Sequence, residues 1–456
     1  MTKQTSHRPA TRAPLHCQLI AAFPLVLCAC AEQARLPDAA DTGLRPTLAT
    51  PERTLLPTVH IAPAVGWPQG TTPAAASGLS VAAYASGLDH PRWLQVLPNG
   101  DVLVAETNAP PRPEEGQGVK GWVMKKVMAR AGAGVASANR ITLLRDTDGD
   151  GTAETCSVFL QGLNSPFGMA LVGDRFYVAH TDAVWEYPYT AGESRVSGAG
   201  RKLTDLPAGP RNHHWTKSLI ASADGAKLYA TVGSNSNVAE NGMAVEEGRA
   251  AIWEIDRTSG AKRLFASGLR NPNGMAWTAD GKLWTVVNER DELGSDLVPD
   301  YLTSVQDVGF YGWPYSWYGA HVDTRVTPPR PDEVARALVP DYALGAHVAA
   351  LGLAGVAAGL LTSAMTAAQA PATTPLQGMF VGLHGSWNRR PHAGYKVVYV
   401  AFDGSRPVGL PHDVLTGFVD ADGNARGRPV GVAIDGRGAL LVADDVGNTV
   451  WRVTPR

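Results

Sequence analysis

The residues best suited to chemistry in this chain are a histidine and three arginines, each of which stands just before a predicted strand. A histidine pair opens HHWTKSL, and because imidazole titrates near neutral pH, its second member, His214, is a candidate general base. Arg270 stands beside Asn271 in GLRNPNGMAW, and Arg426 and Arg428 flank one glycine in NARGRPVGV. If this last segment is extended, both guanidinium groups lie on one face. From these residues alone, a structural histidine pair and exposed loop arginines paired with acids remain the alternatives.

A second candidate site is the acidic loop RDTDGDGTAETC. Its carboxylates fall at alternate positions of a tight turn and therefore face one side. They belong to Asp146, Asp148 and Asp150, with Glu154 following. Such oxygen ligands suit Ca²⁺, but the loop departs from an EF-hand because Ser157 stands where the twelfth-position glutamate is needed. A structural Ca²⁺ ion and an empty acidic hairpin both remain open.

A repeated unit positions these residues: a polar entrance, an apolar strand, a glycine-bearing turn and a second apolar strand. Residues 275–287 show it most clearly, because Asp280-Gly281 separates two short runs rich in Trp and β-branched residues. The other copies are residues 90–106, 165–180, 214–233 and 428–445, with a degenerate copy that begins at 346–354 and continues to 379–388. Six such units predict an all-β fold, a six-bladed β-propeller. We expect strand 79–85 to complete the last blade against residues 451–453.

Length and composition fit this fold and exclude some functions. A chain of 456 residues would ordinarily suggest two or three domains, but propellers of this length form single units. The 49 glycines and 33 prolines suit short strands joined by many turns. The net charge is -2 and no block of Lys and Arg stands out, so nucleic acid is not an expected partner. No G-x-G-x-x-G follows a strand and opens a helix, which argues against a nicotinamide cofactor.

Residues 1–30 have the pattern of an export signal. Three basic residues precede an apolar run, residues 19–27, that is too short to span a membrane. The ending Leu-Cys-Ala-Cys resembles a bacterial lipoprotein signal that makes Cys30 the lipidated residue, and Ala31 matches the outer-membrane sorting pattern. An ordinary cleaved secretory signal is the alternative. We therefore expect an exported protein at the periplasmic face, held by a lipid anchor to the outer membrane.

Residues 31–78 are rich in Pro, Ala and Thr with no sustained period. We expect them to form a flexible tether between the anchor and a propeller domain, residues 79–456. Two of the four cysteines would be removed with the signal and Cys30 would be acylated, which leaves Cys156 without a partner. We expect Cys156 to be a packed core thiol.

Two insertions interrupt the repeats. Residues 109–139 combine a Pro-rich stretch with a short basic run, which predicts a loop with a helical turn. A substrate lid and a plain surface excursion both remain open for it. Residues 344–370 include an Ala-rich apolar run that is poor in large side chains, so a strand followed by a surface helix is favoured over a membrane span.

Several motifs occur in an order that is informative as a set. They are HHWTKSL, GLRNPNGMAW, YGWP at 311–314, GAH at 345–347, HGSWNR at 384–389 and NARGRPVGV. From about residue 79 to residue 456 the chain resembles the soluble quinoprotein sugar dehydrogenases, in particular the branch of sorbosone dehydrogenases and pyranose dehydrogenases that use pyrroloquinoline quinone (PQQ). The resemblance implies a six-bladed propeller with PQQ at the mouth of the central channel, oxidising the anomeric or aldehydic carbon of a sugar.

The resemblance also implies roles for individual residues. Because PQQ carries three carboxylates and an electrophilic quinone, its site needs several fixed cations. PQQ contacts are implied for Arg270, Asn271, Arg426 and Arg428, and the family's catalytic histidine aligns with His214. Glucose-type members orient that base with an acid, where this chain has Ser234.

Further assignments fall on loops that match the family less closely. Arg389 is the cation nearest to the family's cofactor-contacting lysine, His347 lines the same pocket, and Asn164 reaches it from the second blade. The segment NERDELGSD matches the loop that supplies the cofactor's Ca²⁺, which makes Glu289 and Asp291 candidate ligands. Relatives have Gly-Pro where this chain has Asp-Glu at 291–292.

These observations predict a quinoprotein dehydrogenase that acts on an aldose or a sugar aldehyde with PQQ and Ca²⁺. His214 would accept the hydroxyl proton as hydride passes to PQQ, and the electrons would leave to a quinone or another redox carrier. A Ca²⁺-dependent lactonase of propeller type is an alternative, but it would not need three converging arginines. A non-catalytic propeller that binds a sugar or protein at the cell surface is the other alternative.

Overall fold

A computed structural model describes residues 1–2, 32–53, 58–111, 118–367 and 377–456. The strands form six antiparallel sheets around an axis, so the predicted six-bladed β-propeller is confirmed. The innermost strand of each blade packs against that of the next, and the last packs against the first, which closes the ring. Cys30 and residues 3–29 of the predicted signal segment lie outside the described residues.

Each of the first three blades has four antiparallel strands. From the axis outward, the first blade consists of Pro91–Val96, Val102–Glu106, Arg140–Arg145 and Thr155–Gln161. The second consists of Met169–Val172, Arg175–Ala179, Ala183–Pro188 and Arg201–Asp205. The third consists of Leu219–Ala221, Lys227–Val232, Ala251–Asp256 and Lys262–Ser267, with the short strand Gly309–Phe310 added in parallel at its edge.

The last three blades follow the same plan. The fourth consists of Asn271–Trp277, Leu283–Asn288, Pro299–Ser304 and Tyr342–Ala346. The fifth consists of Ala350–Val356, Gln377–Leu383, Lys396–Asp403 and Arg406–Thr416. The sixth consists of Pro429–Ile434, Leu440–Asp444, Thr449–Pro455 and the N-terminal strand Leu79–Ser86. Val81 pairs with Val453 in this sheet, so the predicted closure of the ring by the N-terminal strand is confirmed.

Helices are few and lie outside the blades. They are Gly118–Arg130, Pro331–Ala335 and Leu360–Ala367, with one 3₁₀ turn at Met243–Glu246; a small hairpin pairs Ser316–Trp317 with His321–Val322. The insertion at 109–139 thus contains a full helix. The Ala-rich run forms a strand and then a helix, as predicted. In the part of the chain that the structure describes, no helix is both long and apolar enough to cross a membrane.

Glycines in the inner strands let neighbouring blades approach closely at the axis. A Cβ atom added to Gly274 would lie 2.5 Å from the backbone nitrogen of Leu353 in the next blade. A Cβ atom on Gly352 would lie 2.2 Å from the carbonyl oxygen of Val430. Only glycine fits such contacts, which explains why glycines recur inside strands where they are otherwise unfavourable.

The structure corrects the prediction of a flexible tether. Its described residues lie on the propeller, within one compact unit that extends from Glu32 to Arg456. The pair Thr42–Gly43 adds to the outer strand of blade four, and Ala74–Ala75 adds to the outer strand of blade five. We call residues 32–53 and 58–67 the strap. The composition of the strap did not indicate that it packs on the propeller. Individual hydrogen bonds hold it there, and it lacks the alternating apolar residues that mark a blade strand.

Cys156 is a second correction. It lies on Thr155–Gln161, the outermost strand of blade one, and its side chain is exposed. The outer strand of a blade has one face toward solvent, so alternation along it places every second residue outside.

Candidate functional site

The polar entrances of the repeats meet at one end of the axis. Repetition of the same blade around the ring makes the six inner strands run in one direction, and each second strand returns to the same end. Residues just before the inner strands are His90, Asn164, His214, Arg270, His347 and Arg428, and residues at or after the ends of the second strands are His180, Ser234, Glu289, His384 and Asp445. The repeat pattern therefore gathers ionisable side chains from all six blades at one mouth of the channel.

His214 is held by the main chain of blade three. Its Nδ1 atom lies 2.7 Å from the carbonyl oxygen of Ser234 and 3.1 Å from the Ser234 hydroxyl. Since a carbonyl can only accept, Nδ1 carries the proton and Nε2 keeps its lone pair. Burial and the nearby charges of Arg270 and Arg249 lower the pKa of His214 well below its ordinary value. The imidazole is therefore neutral at neutral pH and can accept a proton at Nε2.

A buried network of basic side chains next to His214 was not anticipated as part of the site. Nζ of Lys217, which is fully buried, donates to the carbonyl oxygens of His214 and Trp215, both at 3.2 Å. Arg249 donates to the Asn212 side-chain oxygen at 3.0 Å, and Nζ of Lys217 lies 3.5 Å from the same atom. Burial and the nearby charge of Arg249 lower the pKa of Lys217 well below its ordinary value. Lys217 stands three residues after His214 in the motif HHWTKSL. This short spacing between a lysine and a candidate base was the signal available in the sequence.

Asp291 joins blades four and five at the channel mouth. Its Oδ2 atom accepts from Arg270 at 3.0 Å, and its Oδ1 atom accepts from Asn388 at 2.9 Å and lies 3.6 Å from Nδ1 of His347. Burial alone would raise the pKa of the Asp291 carboxyl, but Arg270 and His347 lower it well below its usual range. Burial also disfavours a charged His347, yet Asp291 raises the pKa of His347 above its ordinary value.

On the other side of the mouth, Asp445 gathers a second set of basic groups. Its Oδ2 atom lies 2.7 Å from Arg92, 2.9 Å from Nε2 of His384 and 3.6 Å from Nε2 of His90. Burial lowers the pKa of His384 to about 4. The Arg92 guanidinium also lies over the ring of Trp215, 5.9 Å from its centre, which connects this cluster to the loop that carries His214. The sequence analysis assigned no member of this cluster to the site.

Arg428 lies beside this cluster and is buried. Its guanidinium donates to the carbonyl oxygen of Ala62 in the strap at 3.2 Å and lies over the ring of Tyr395 at 5.0 Å. Several buried atoms around the mouth have no hydrogen-bond partner among the described residues. They are Nε of Arg428, Nε of Arg92, Nε2 of His90, Oδ1 of Asp445 and Oδ1 of Asn271. Unsatisfied buried donors on two arginines are the expected state of a site that binds a polar anion.

Asn271 is placed next to the candidate base. A Cβ atom added to Gly233 would lie 2.3 Å from Oδ1 of Asn271 and 2.5 Å from Cβ of His214, so both side chains press on the same glycine. Arg270 and His214 are also linked, because the amide of Ser234 donates to the Arg270 carbonyl at 2.7 Å. His214, Arg270 and Asn271 thus lie together, as the sequence-based assignments require.

Other assigned residues are placed less directly. Arg426 is half-buried, and its guanidinium has no hydrogen-bond partner in the described ranges. Arg389 is held by blade four, because its Nε atom donates to the Ser295 carbonyl at 2.9 Å. Asn164 is exposed, and its carbonyl accepts from the Thr181 amide. His384, which also belongs to the motif HGSWNR, contacts Asp445, the carboxylate that binds Arg92. Arg389 has its contact with Ser295 instead.

The two carboxylates predicted to bind the cofactor's calcium both contact arginines. Oε2 of Glu289 accepts from Arg290 at 3.0 Å, and Asp291 is held by Arg270. The carbonyl oxygen of Glu289 also accepts from Arg270, at 2.5 Å. Both oxygens of Asp291 accept hydrogen bonds, from Arg270 and Asn388, whereas Oε1 of Glu289 is buried with no partner among the described residues. The role of the two residues as calcium ligands stays a prediction.

The acidic loop of blade one has the shape expected of a metal site. One ligand atom from each of Asp146, Asp148, Asp150 and Glu154 lies within 4.8 Å of the others. The same carboxylates accept main-chain bonds, for example from the Gly149 amide to Asp146 at 2.6 Å, and Arg437 lies 3.2 Å from Asp146. Calcium in this loop stays a prediction.

Sequence comparison relates this chain to one protein family and to individual proteins of a bacterium and a fungus. A family model described as TrAA12-like matches residues 73–301 and 333–456. A protein of Borreliella burgdorferi described as uncharacterized is 23% identical over 302 residues, which is 64% of this chain and 76% of that protein. The pyrroloquinoline quinone-dependent pyranose dehydrogenase of Coprinopsis cinerea is 24% identical over 365 residues, which is 71% of this chain. The match covers 44% of that dehydrogenase, so this chain spans less than half of its length.

Solved structures with the same fold include three sugar enzymes or their domains. The holo form of the pyranose dehydrogenase PQQ domain from Coprinopsis cinerea has a TM-score of 0.64 and 21% identity, covering 87% of this chain and 100% of that one. A Trichoderma reesei protein of carbohydrate-active enzyme family AA12 has a TM-score of 0.65 and 19% identity, covering 87% and 99%. The soluble aldose sugar dehydrogenase of Escherichia coli in the apo form has a TM-score of 0.54 and 16% identity, covering 83% and 100%.

Proposed function

The chain belongs to the TrAA12-like family of PQQ-dependent sugar dehydrogenases, and we propose that it oxidises the anomeric hydroxyl of an aldose, or the hydrated aldehyde of a sugar such as sorbosone, with His214 as general base. The observation that carries this proposal is the juxtaposition of a neutral imidazole with a set of buried, partly unsatisfied arginines at one mouth of the channel.

The residues at the mouth fit PQQ. The cofactor presents three carboxylates, and the mouth offers Arg92, Arg270 and Arg428 from blades one, four and six. The Nε atoms of Arg92 and Arg428 are buried without a partner among the described residues, so each has a donor available for a carboxylate oxygen. Oδ1 of Asn271, beside His214, is likewise unpartnered. Arg426 would add a less buried cation at the rim, whereas Arg389 is already held by the Ser295 carbonyl.

When bound, PQQ supplies the two-electron acceptor that takes the hydride from the substrate carbon. His214 receives the hydroxyl proton at Nε2, since the Ser234 carbonyl keeps the other ring nitrogen protonated. Lys217 holds the carbonyl oxygens of His214 and Trp215, which fixes the backbone that aims the ring. The fixed positive charges of Arg270 and Arg428 favour the build-up of negative charge at the site during the reaction.

We propose that calcium activates the enzyme, and we assign it no role in an individual reaction step. Asp291 has both oxygens in hydrogen bonds with Arg270 and Asn388, whereas Oε1 of Glu289 is buried without a partner among the described residues and is available to an ion. The acidic loop of blade one is a second candidate calcium site, in a structural role. Comparing PQQ alone with PQQ plus Ca²⁺ separates an activating ion from a structural one.

The decisive experiment is dye-linked oxidation of a panel of aldoses and sorbosone by the purified protein. Each sugar is tested without additions, with PQQ, and with PQQ plus Ca²⁺, for the wild type and for His214→Ala. We expect activity only after reconstitution and its collapse in the variant. The absence of both PQQ binding and dye reduction with every sugar would overturn the proposal.

The two alternatives make different predictions in the same assay. A lactonase would hydrolyse sugar lactones and keep that activity in Arg428→Ala, because hydrolysis needs no cofactor carboxylates. A surface-binding propeller would reduce no dye under any condition. PQQ-dependent dye reduction that is sensitive to Arg428 excludes both.

We further propose that the protein is exported and anchored by a lipid on Cys30 at the periplasmic face of the outer membrane. The support is the sequence pattern of residues 1–31. There it would pass electrons to a quinone or another redox carrier. Mass spectrometry of the N-terminal peptide from the native host tests this, and an unmodified or uncleaved Cys30 would contradict it.

A further inference from the structure

The strap crosses the mouth where the cofactor is proposed to bind, yet it lies outside the residues that the family model matches. The matched region begins at residue 73, whereas the strap ends at residue 67. The family model therefore does not describe the strap. Its contacts with Arg428, one of the proposed cofactor residues, give it a specific place in the site.

One end of the strap is fixed to the loop after the second strand of blade four. The carboxylate of Glu32 accepts from the amide of Ser295 at 2.8 and 2.9 Å and from its hydroxyl at 2.7 Å. The carboxylate of Asp296 accepts from the amide of Arg35 at 2.6 Å. Farther along, Asp41 accepts from the amide of Ala346, the residue before His347, at 2.7 Å.

The strap then passes over blade five. The amide of His60 donates to the carbonyl oxygen of Trp387 at 2.7 Å, one residue before Asn388, which holds Asp291. The imidazole of His60 stacks on that of His392, with ring centres 3.9 Å apart. A small pocket lies beneath this part of the strap, between Thr58, His347 and Trp387.

The far end of the strap reaches the carboxylate that anchors Arg428. Nε1 of Trp67 donates to Oδ2 of Asp444 at 2.7 Å, and Trp451 donates to the same oxygen at 3.0 Å. Oδ1 of Asp444 accepts from the backbone amide of Arg428 at 2.8 Å. The indole of Trp67 packs edge-on against Trp451, with ring centres 5.5 Å apart.

The strap therefore holds Arg428 from two directions. The Ala62 carbonyl takes one N–H of its guanidinium, and Trp67, through Asp444, fixes the backbone from which the side chain extends. Asp444 is fully buried, and burial raises its pKa, so each hydrogen bond that it accepts counts toward keeping it an ionised anchor. Loss of the Trp67 donor would leave a buried carboxylate oxygen with one partner fewer.

We propose that the strap is a part of the cofactor site and that Trp67 is a positioning residue for Arg428, acting through Asp444. This inference rests on the proposed function, because it takes Arg428 as a ligand of PQQ carboxylates. It gives residues outside the family's matched region a role in cofactor affinity. Trp67 itself contacts Asp444, Phe418 and Trp451 rather than the cofactor.

The test measures PQQ binding to the full-length apo-protein by equilibrium dialysis, in a double-mutant cycle of Trp67→Phe and Arg428→Ala. Phenylalanine keeps the aromatic packing and removes only the N–H donor. We expect W67F to raise the PQQ Kd about fivefold to tenfold when Arg428 is present and less than about twofold when it is Ala. Trp122→Phe, on the exposed face of helix Gly118–Arg130, is the matched control and is expected to bind PQQ like the wild type.

Non-additivity in this cycle separates positioning from a general structural effect. A purely structural loss would raise the Kd by the same factor in both backgrounds, and that result overturns the inference. Unchanged binding in W67F overturns it as well, while leaving the proposed function intact. Failure of the wild type to bind PQQ would instead overturn the proposed function and, with it, the assignment of the strap to a cofactor site.

Discussion

The Nδ1 atom of His214 lies 2.7 Å from the backbone carbonyl oxygen of Ser234. This contact fixes the tautomer of the candidate base without an acidic side chain, at the position where the resemblance to glucose-type dehydrogenases would place one. A carbonyl cannot take up the proton from the ring, so the imidazole is held in one orientation with its Nε2 lone pair available. The Ser234 carbonyl therefore orients His214 although no acidic side chain stands at this position.

Replacing His214 by Gln should lower kcat for aldose oxidation about 10²-fold to 10⁴-fold, because proton abstraction by a positioned base contributes about that much. PQQ affinity should change far less, since the arginines remain. Steady-state dye reduction and equilibrium dialysis of PQQ measure the two effects. His321→Ala, in the exposed hairpin strand His321–Val322, is the control. Ser234→Ala should keep most activity, since the orienting carbonyl is retained.

Activity should persist at mildly acidic pH. Burial and the charge of Arg270 lower the pKa of His214, so the imidazole is neutral and competent above that lowered value. The acidic limb of kcat/KM should therefore lie below pH 6.5, and the rate should fall only as the pH drops through the lowered pKa. A pH profile of kcat/KM in the presence of saturating PQQ tests this. An acidic limb at or above pH 6.5, absent from the His214 variant, would contradict the assigned environment.

Replacing Arg428 by Ala should weaken PQQ binding about 10-fold to 100-fold, since a hydrogen bond to a charged group contributes about 1.5–3 kcal/mol. Lys should restore only part of the affinity, because it lacks the planar pair of donors. Equilibrium dialysis measures the affinities. Arg406→Ala provides a control with an exposed arginine on the outer strand of blade five. Equal effects of the two substitutions would argue against a cofactor contact at Arg428.

Calcium should stabilise the propeller through the acidic loop of blade one. At about 100-fold excess over its Kd, a ligand contributes about 2.7 kcal/mol, which corresponds to a rise of roughly 2–4 °C or more in Tm for a domain of this size. Thermal unfolding with Ca²⁺ and with a chelator measures the shift. Asp148→Asn should remove it, whereas Asp422→Asn, at another exposed acidic position, should not. A wild-type Tm that ignores Ca²⁺ would show that the loop is an empty acidic hairpin.

The blades and the entrances to them could be predicted from the sequence because both are local. A pair of apolar runs around a glycine-bearing turn specifies a hairpin wherever it occurs, as at Asp280-Gly281, where the φ angle of Gly281 is 78°. Repetition then places every entrance at the same end of the ring. The location of His214, Arg270 and Arg428 at one mouth follows from that pattern, and Asn271 beside His214 follows with it.

Partners across the ring were decided only by the tertiary structure. Arg92 and Asp445 are 353 residues apart in sequence and lie 2.7 Å from each other, because closure of the propeller brings the first and sixth blades together. Both lie in copies of the repeat, but the repeat does not show which side chains meet across the ring, so their cluster with His384 escaped the sequence-based assignments. Arg389 carried a motif but turned toward Ser295, and Cys156 lay on the outward face of an edge strand.

The strap illustrates the same limit most clearly. Its composition, rich in Pro, Ala and Thr, indicates only that it forms no regular blade strand. Its place over the mouth is fixed by single contacts such as Glu32 with Ser295 and Trp67 with Asp444, which lie hundreds of residues apart in sequence. The local pattern of apolar residues and turns thus determined the blades, and it determined at which strand ends the candidate site residues lie. The partners of each charged group, and the segment that covers them, depended on closure of the ring, which no local stretch of sequence encodes.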